Sequence, residues 1–337
     1  MSARAGFKTK LAFFPRVPLA EYPTPLEFLP RLSEEIGRAV WVKRDDEIGP
    51  AMGGNKTRKL EYLLAEAFER RAKKVVTFGG LQSNHARLTA ALACKYGLEA
   101  HLIFFERRPA RLEGNLLINQ LLGAKMHFVP LDRSSNGMSL EATIRLVRWL
   151  ATLWLGAHYF IPVGGHSWRG CLGYAAAALE IDEQVRAQGL EDAWLVTAAG
   201  SGGTLAGLMA GLALLESPVR LMGIDVGRLW KGFAASIARL ASETSSHLGQ
   251  PRQFTPADVP LVEETYAGEC YGQPSPECLA SLHRLARLEG LLLDPVYTAK
   301  AFAGLLDMTR RGLLPGKRPV IFLHTGGLPA LFAFERI

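Results

Sequence analysis

The chain has 337 residues, with 39 lysines and arginines against 32 aspartates and glutamates, a net charge of +7. Hydrophobic residues at 48% and charged residues at 21% are ordinary for a globular protein, and they exclude a disordered chain, a disulfide-stapled miniprotein and a coiled coil. Glycine stands out: 34 residues, roughly a tenth of the chain where about 7% is usual, and ten of them form five Gly-Gly pairs at 53–54, 79–80, 164–165, 202–203 and 326–327.

The length suits two domains or one large α/β unit. Basic residues are scattered, with nothing longer than pairs such as Arg70-Arg71 and Arg107-Arg108, so no nucleic-acid partner is expected. Cys94, Cys171, Cys270 and Cys278 have neither CxxC nor metal-ligand spacing; they read as reduced thiols of a cytoplasmic protein without a metal site. Arg4, Lys8, Lys10 and Arg16 precede the first acid, Glu21, but the apolar stretch Leu11–Phe14 is too short for a secretion signal, and prolines at 15, 18, 23 and 25 argue against an amphipathic helix there.

In chain order, Lys56–Arg71 has Leu60, Leu63, Leu64, Ala67 and Phe68 at helical spacing, with charges on the other face. Strands are expected at Val75–Phe78, Leu102–Phe105 and His127–Val129, with helices around 85–96, 112–122, 139–154 and 170–187 between and after them. A strand at Trp194–Val196 and a helix at 204–215 follow. The uncharged run Ala193–Leu215 is long enough for a membrane span, but Gly200-Ser201-Gly202-Gly203 divides it into strand, loop and helix, so no membrane partner is expected. Then come a strand at Leu221–Ile224, helices at 275–289 and 299–311, and a strand at Val320–Leu323. This alternation predicts parallel sheets covered by helices on both faces. The Gly-Gly pairs fall where strands give way to helices, the edge at which such sheets hold ligands.

Four segments carry chemistry. In Gly53-Gly54-Asn55-Lys56-Thr57-Arg58-Lys59, a lysine begins a helix, where the dipole disfavours its charge. That suits a nucleophile able to form a Schiff base with a carbonyl compound, although a solvated first-turn lysine satisfies the same pattern. Arg58 and Lys59 read as solvated or as positive potential near a phosphate. In Gly79-Gly80-Leu81-Gln82-Ser83-Asn84-His85, Ser83 or Asn84 caps a helix, and the free N–H groups with Gln82, Ser83 and Asn84 make a carboxylate site. His85 reads as structural. Gly200-Ser201-Gly202-Gly203-Thr204 offers successive amides and two hydroxyls to a phosphate, yet it lacks the Walker lysine, and Leu205 stands where a dinucleotide loop needs glycine. Near the C-terminus, Cys270-Tyr271-Gly272, Asp294-Pro295-Val296-Tyr297-Thr298 and His324-Thr325-Gly326-Gly327 place two tyrosines and a threonine before helices or after the last strand.

Taken in order, GGNKTRKLEYL, GGLQSNHAR, AGSGGTLAGL, DPVYTAKAFAGL and HTGG resemble the pyridoxal-phosphate enzymes of the D-cysteine desulfhydrase and 1-aminocyclopropane-1-carboxylate deaminase family. The resemblance implies an α/β, tryptophan-synthase-β-like fold of type II, with two open parallel-rich sheets flanked by helices. It implies a large cofactor domain from residues 1–55 and 165–337, a small inserted domain from 56–164, and a homodimer. Lys56 would hold pyridoxal 5'-phosphate as a Schiff base and take a proton from a small amino-acid substrate. Asn55 would meet the ring hydroxyl, Gly200, Ser201, Gly202, Gly203 and Thr204 with Lys59 the phosphate, and Thr325 the pyridine nitrogen. Gln82, Ser83 and Asn84 would hold the substrate carboxylate, with Ser83 also counted as catalytic beside Tyr271 and Tyr297.

Relatives that open the cyclopropane ring resemble this chain but carry glutamate after the tyrosine of DPVY, where this chain has Thr298. An uncharged hydroxyl does not keep the ring protonated, which favours prompt loss of a β-substituent, as in the conversion of D-cysteine to pyruvate, hydrogen sulfide and ammonia. Opening of the cyclopropane amino acid and loss of sulfite from L-cysteate are the alternative reactions. A non-catalytic carrier of the cofactor or of an amino acid is the reading from another class. Gly164-Gly165 alone lacks a site role and reads as the return from the inserted domain.

Overall fold

A computed structural model describes residues 3–130, 139–190, 192–263, 266–269 and 271–334; Cys270 lies outside them. The chain opens with helix α1 (Ala3–Ala12), against the expectation drawn from the prolines. The reason is local: the first proline is Pro15, so nothing interrupts residues 3–12, and Phe7 and Leu11, one turn apart, are buried in the same core as Leu172, Ala175 and Leu179.

Strand β1 (Leu26–Phe28), helix α2 (Pro30–Ile36) and strand β2 (Val40–Lys43) follow. Next come α3 (Lys56–Glu69), β3 (Lys74–Gly79), α4 (Asn84–Lys95), β4 (Glu99–Phe104), α5 (Asn115–Leu121), β5 (Lys125–Phe128), α6 (Leu140–Leu155) and β6 (Tyr159–Phe160). The chain continues with α7 (Trp168–Ala187), β7 (Trp194–Ala199), α8 (Gly203–Leu214), β8 (Arg220–Asp225), α9 (Phe233–His247) and β9 (Leu261–Val262). It ends with α10 (Pro276–Glu289), α11 (Thr298–Arg310) and β10 (Val320–Leu323). All six expected strands and eight expected helices are present. The additional elements α1, α2, α9, β1, β2, β6 and β9 had escaped the sequence reading, several because strands of two to four residues carry no periodicity.

The strands form a six-stranded sheet of order β1-β2-β10-β7-β8-β9 and a four-stranded sheet of order β5-β4-β3-β6. Among the described residues only the β1–β2 pair is antiparallel. Both sheets are flanked by helices, as the alternation requires. The run Ala193–Leu215 resolves into β7, the Gly200–Gly202 turn and α8, and no helix among the described residues is long and apolar enough to cross a membrane.

Helix α3 departs from its expected amphipathic form. Its charged residues Arg58, Lys59 and Glu61 are buried along with Leu60, Leu63 and Leu64, because the helix is covered on both faces. Leu60, Leu63 and Leu64 pack into the core of the smaller sheet, while the other face lies on α7, where Gly173 comes so near that a Cβ would stand 2.2 Å from the Arg58 carbonyl oxygen. Burial of these charges is tolerated because each has partners. Arg58 binds both oxygens of Asp45 at 2.8 Å and also Glu180; Glu61 accepts from the Leu19 N–H at 3.1 Å. Arg58 is therefore neither solvated nor turned toward a ligand.

Candidate active site

The carboxyl ends of β3, β7 and β10 converge on one cavity of about 300 Å³. Its wall includes Asn55, Lys56, Ser83, Asn84, Gly200, Ser201, Gly202, Thr204, Tyr271, Tyr297 and Thr325. Eleven residues singled out from sequence are thus together, although they span the chain from 55 to 325. Strand order explains this: parallel strands place their following loops on one edge.

Backbone contacts tie the loops to each other. The Asn55 N–H donates to the Thr325 carbonyl at 3.1 Å, and the Asn55 side chain donates to Thr204 Oγ1 at 3.1 Å. A Cβ on Gly326 would stand 2.9 Å from Gly54 Cα, so the pairs 53–54 and 326–327 let two backbones touch. Gly164-Gly165 does have a site role: the Gly164 carbonyl accepts from Lys59 Nζ at 3.0 Å, and a Cβ there would collide with Ser201 at 2.0 Å.

Lys56 begins α3 and lines the cavity. Desolvation, and then the nearby ammonium of Lys59, hold its pKa well below that of free lysine. Lys59 is fully buried, and its pKa is pushed down to about 8, chiefly by desolvation. Among the described residues neither lysine is paired with a carboxylate. Beside them, Gly202 caps the 12-residue helix α8 with no side-chain acceptor for its first N–H groups. One buried and one half-buried amine without a counter-charge, at a helix N-terminus that has no side-chain cap, fit a phosphate dianion joined to an aldehyde. Pyridoxal phosphate has this chemistry.

Gly202 has φ +77°, and a Cβ on it would stand 2.6 Å from Ile237 Cγ1. Gly202→Ala is therefore expected to weaken binding of pyridoxal phosphate at least tenfold, the equivalent of about 1.4 kcal/mol, in an absorbance titration of cofactor-free protein.

Ser83 caps α4 by accepting the Ala86 N–H at 3.2 Å, and Asn84 Oδ1 accepts from Asn115 Nδ2 at 3.0 Å, which fixes the amide. Gln82 does not join them at the cavity. Its amide donates to the Glu113 carbonyl at 3.1 Å and accepts the Asn115 N–H at 2.8 Å, so its side chain serves the start of α5. His85 is buried against Thr77, and desolvation, then Lys56 and Lys59, lower its pKa well below the usual value, which keeps it neutral. Lys59 and Gly203 stand just behind the wall: a Cβ on Gly203 would be 3.0 Å from Lys59 Nζ.

The hydroxyls of Tyr271 and Tyr297 are hydrogen-bonded to each other across the cavity, with ring centroids 5.8 Å apart. Burial, then the Tyr271 hydroxyl, pushes the Tyr297 phenol well above its ordinary value, so it remains a proton donor. Gly80 permits this pair, because a Cβ there would be 2.6 Å from the Tyr271 ring. Thr298, fully buried, is turned onto Asp294: its hydroxyl donates to Oδ1 at 2.6 Å and accepts the Asp294 N–H at 2.8 Å. It therefore does not line the cavity, where Thr325 does. The sequence reading missed the apolar wall from Phe105, Leu146, Val147, Leu150 and Trp230, since these side chains look like ordinary core residues.

Residues 17–326 match the family model described as pyridoxal-phosphate dependent enzyme. The chain is 40% identical over 334 residues to a D-cysteine desulfhydrase of Yersinia enterocolitica (serotype O:8 / biotype 1B), covering 97% of this chain and 98% of the relative. It is also 40% identical to a D-cysteine desulfhydrase of Klebsiella pneumoniae (strain 342), covering 96% and 98%. Among solved structures it is similar to an ACC deaminase homologue, with TM-score 0.86 and 38% identity over 97% of this chain and 96% of the other. A pyridoxal 5'-phosphate-dependent aspartate racemase at TM-score 0.64 and 15% identity, covering 96% and 94%, shares the fold. The expected tryptophan-synthase-β-like architecture of fold type II, with its parallel-rich sheets, is thereby borne out. By its matched length and its full-length relatives, the chain belongs to the family of pyridoxal-phosphate dependent enzymes.

Proposed function

We propose that the chain acts on D-cysteine, removing its thiol to give hydrogen sulfide, pyruvate and ammonia. The observation that carries this reading is that, among the described residues, no acidic group lines the cavity beside Thr325, with Thr298 turned away onto Asp294, in a chain whose full-length relatives include two named for that reaction. Pyridoxal phosphate, held by Lys56, Lys59, Asn55 and the 200–204 loop, supplies the electron sink that makes the Cα–H bond acidic.

The chain's residues do the rest. Ser83 and Asn84 at the start of α4 hold the substrate carboxylate, which orients Cα toward Lys56. Lys56 Nζ, neutral because the cavity desolvates it, takes the Cα proton. The Cβ–S bond breaks with its electron pair on sulfur, and the Tyr271–Tyr297 pair, in which the Tyr297 phenol stays protonated, donates to the departing thiolate. Uptake of water by the remaining enamine gives pyruvate and ammonia.

Residues 1–55 and 165–337 would form the cofactor domain and 56–164 the inserted one. A cytoplasmic homodimer completes the reading, supported by the family resemblance. The test is a panel of D-cysteine, L-cysteine, L-cysteate and 1-aminocyclopropane-1-carboxylate, assayed for keto acid, sulfide and sulfite. Sulfide with equimolar pyruvate from D-cysteine is expected. Efficient cyclopropane opening without sulfide release would replace this reading by the deaminase one, and sulfite from L-cysteate would replace it by the sulfo-lyase one.

A further inference from the structure

The loop Gly200–Thr204 is held by two aromatic N–H donors outside every motif described above. Trp230 Nε1 donates to the Gly200 carbonyl at 2.9 Å. His166 Nδ1 lies 2.6 Å from the Ser201 carbonyl, and since a carbonyl only accepts, this nitrogen carries a proton. In a trans peptide the carbonyl of one residue and the N–H of the next point in opposite directions. The Ser201 N–H is thus turned away from Trp230, and the Gly202 N–H away from His166. Among the described residues neither N–H has a protein acceptor, and both residues line the cavity.

Neither donor is free to wander. The Asp225 carboxylate accepts the Gly227 and Arg228 N–H groups at 2.9 and 3.1 Å, which folds the turn leading to Trp230. The indole packs against the cluster that contains Leu205 and Phe233 and against the cluster that contains Phe78 and Val147, so it joins the two. His166 follows Gly164-Gly165, and its Nε2 lies 3.2 Å from Ser236 Oγ. That hydroxyl donates to Glu141 of α6, whose carboxylate lies 3.7 Å from the same Nε2.

We infer that Trp230 and His166 are positioning residues for the cofactor phosphate, fixing two peptides of the 200–204 loop so that their N–H groups, and not their carbonyls, face the anion. This rests on the proposed role of that loop. A peptide flip would turn an attractive dipole into a repulsive one, so the two rings act on phosphate affinity through the loop's peptides. Through Ser236 and Glu141 the same arrangement ties the loop to α6, whose Leu146 and Leu150 form the cavity wall.

The test measures the dissociation constants of pyridoxal phosphate and of pyridoxal, which lacks the phosphate, for cofactor-free wild type, Trp230→Phe, His166→Ala and His166→Asn. Trp230→Phe keeps the ring and removes one N–H, and is expected to weaken pyridoxal phosphate binding about fivefold, as loss of one neutral hydrogen bond would. His166→Ala is expected to weaken it about tenfold or more, and His166→Asn, which retains a donor near Nδ1, to recover most of that loss. Pyridoxal affinity should be unchanged throughout, and the ³¹P resonance of the bound cofactor should shift in Trp230→Phe and His166→Ala. Equal weakening of both ligands, unchanged phosphate affinity, or a fall in the thermal midpoint of the cofactor-free protein that accounts for the loss would overturn the inference. Sulfide release by the wild type, measured in the same series, separates this result from the substrate reading: its absence removes D-cysteine and leaves the phosphate measurement standing.

Discussion

Replacing Lys56 with alanine is expected to lower keto-acid release by about 10³-fold or more, the scale set by removing a combined nucleophile and general base. The variant should also lose the yellow, borohydride-reducible adduct while still binding pyridoxal phosphate, because Lys59 and the α8 N-terminus are untouched. The lowered pKa of Lys56 explains why this site can work near neutrality. Desolvation and the neighbouring Lys59 both disfavour the ammonium, so the free amine is available at a pH where a solvated lysine is almost wholly protonated. Persistence of the reducible adduct in the variant, by absorbance and mass after borohydride, would remove Lys56 from its role. It would also revive the reading of a carrier without turnover if the wild type released no keto acid from any amino acid.

Replacing Arg58 with methionine is expected to have the largest effect on stability, a loss of about 3–5 kcal/mol, typical of breaking one side of a buried ion pair. Arg58 is almost fully buried and meets Asp45 through two hydrogen bonds at 2.8 Å and Glu180 at 2.9 and 3.0 Å, while Tyr174 donates to the same Asp45 at 2.6 Å. Burial alone would raise the Asp45 carboxyl, but the Arg58 guanidinium overrides it and holds the group below its ordinary value. A depressed carboxylate contributes stability above its unfolded pKa and loses it as pH falls through the folded one. The difference in urea midpoint between wild type and Arg58→Met should therefore be full at pH 7 and narrow in acid below the ordinary carboxylate range. Equal midpoints at pH 7 would show that the network is replaceable by packing. Because Arg58 sits in the first turn of α3, two residues after Lys56, any folded variant should also show a lower kcat.

The second of these residues shows where sequence reasoning stops. The place of Lys56 at the cavity was legible because it is set locally: a Gly-Gly turn, an amide residue and a helix start stand next to it in the chain. Arg58 looked like a first-turn charge on a solvated face. Its actual surroundings come from Asp45 and from Glu180, 122 residues away, and a periodicity argument cannot reach so far. Gln82 failed for the converse reason. It belongs to a motif whose neighbours Ser83 and Asn84 do face the cavity, but Asn115 arrives from another helix and takes its side chain.

The order of strands and helices, the strand-to-helix glycine turns and the family-bearing motifs were set by residues close together in the chain, so the amino-acid sequence alone determined them. Hydrophobic spacing and backbone freedom act over a few residues, and so does the capping by Ser83 and Ser139. The packing of two sheets decided the remainder. It turned Thr298 onto Asp294, left Lys56 and Lys59 without a carboxylate partner, and brought Trp230 and His166 against the phosphate loop. Those outcomes depend on which polar groups lose water and which partners then reach them, and desolvation is a property of the assembled interior.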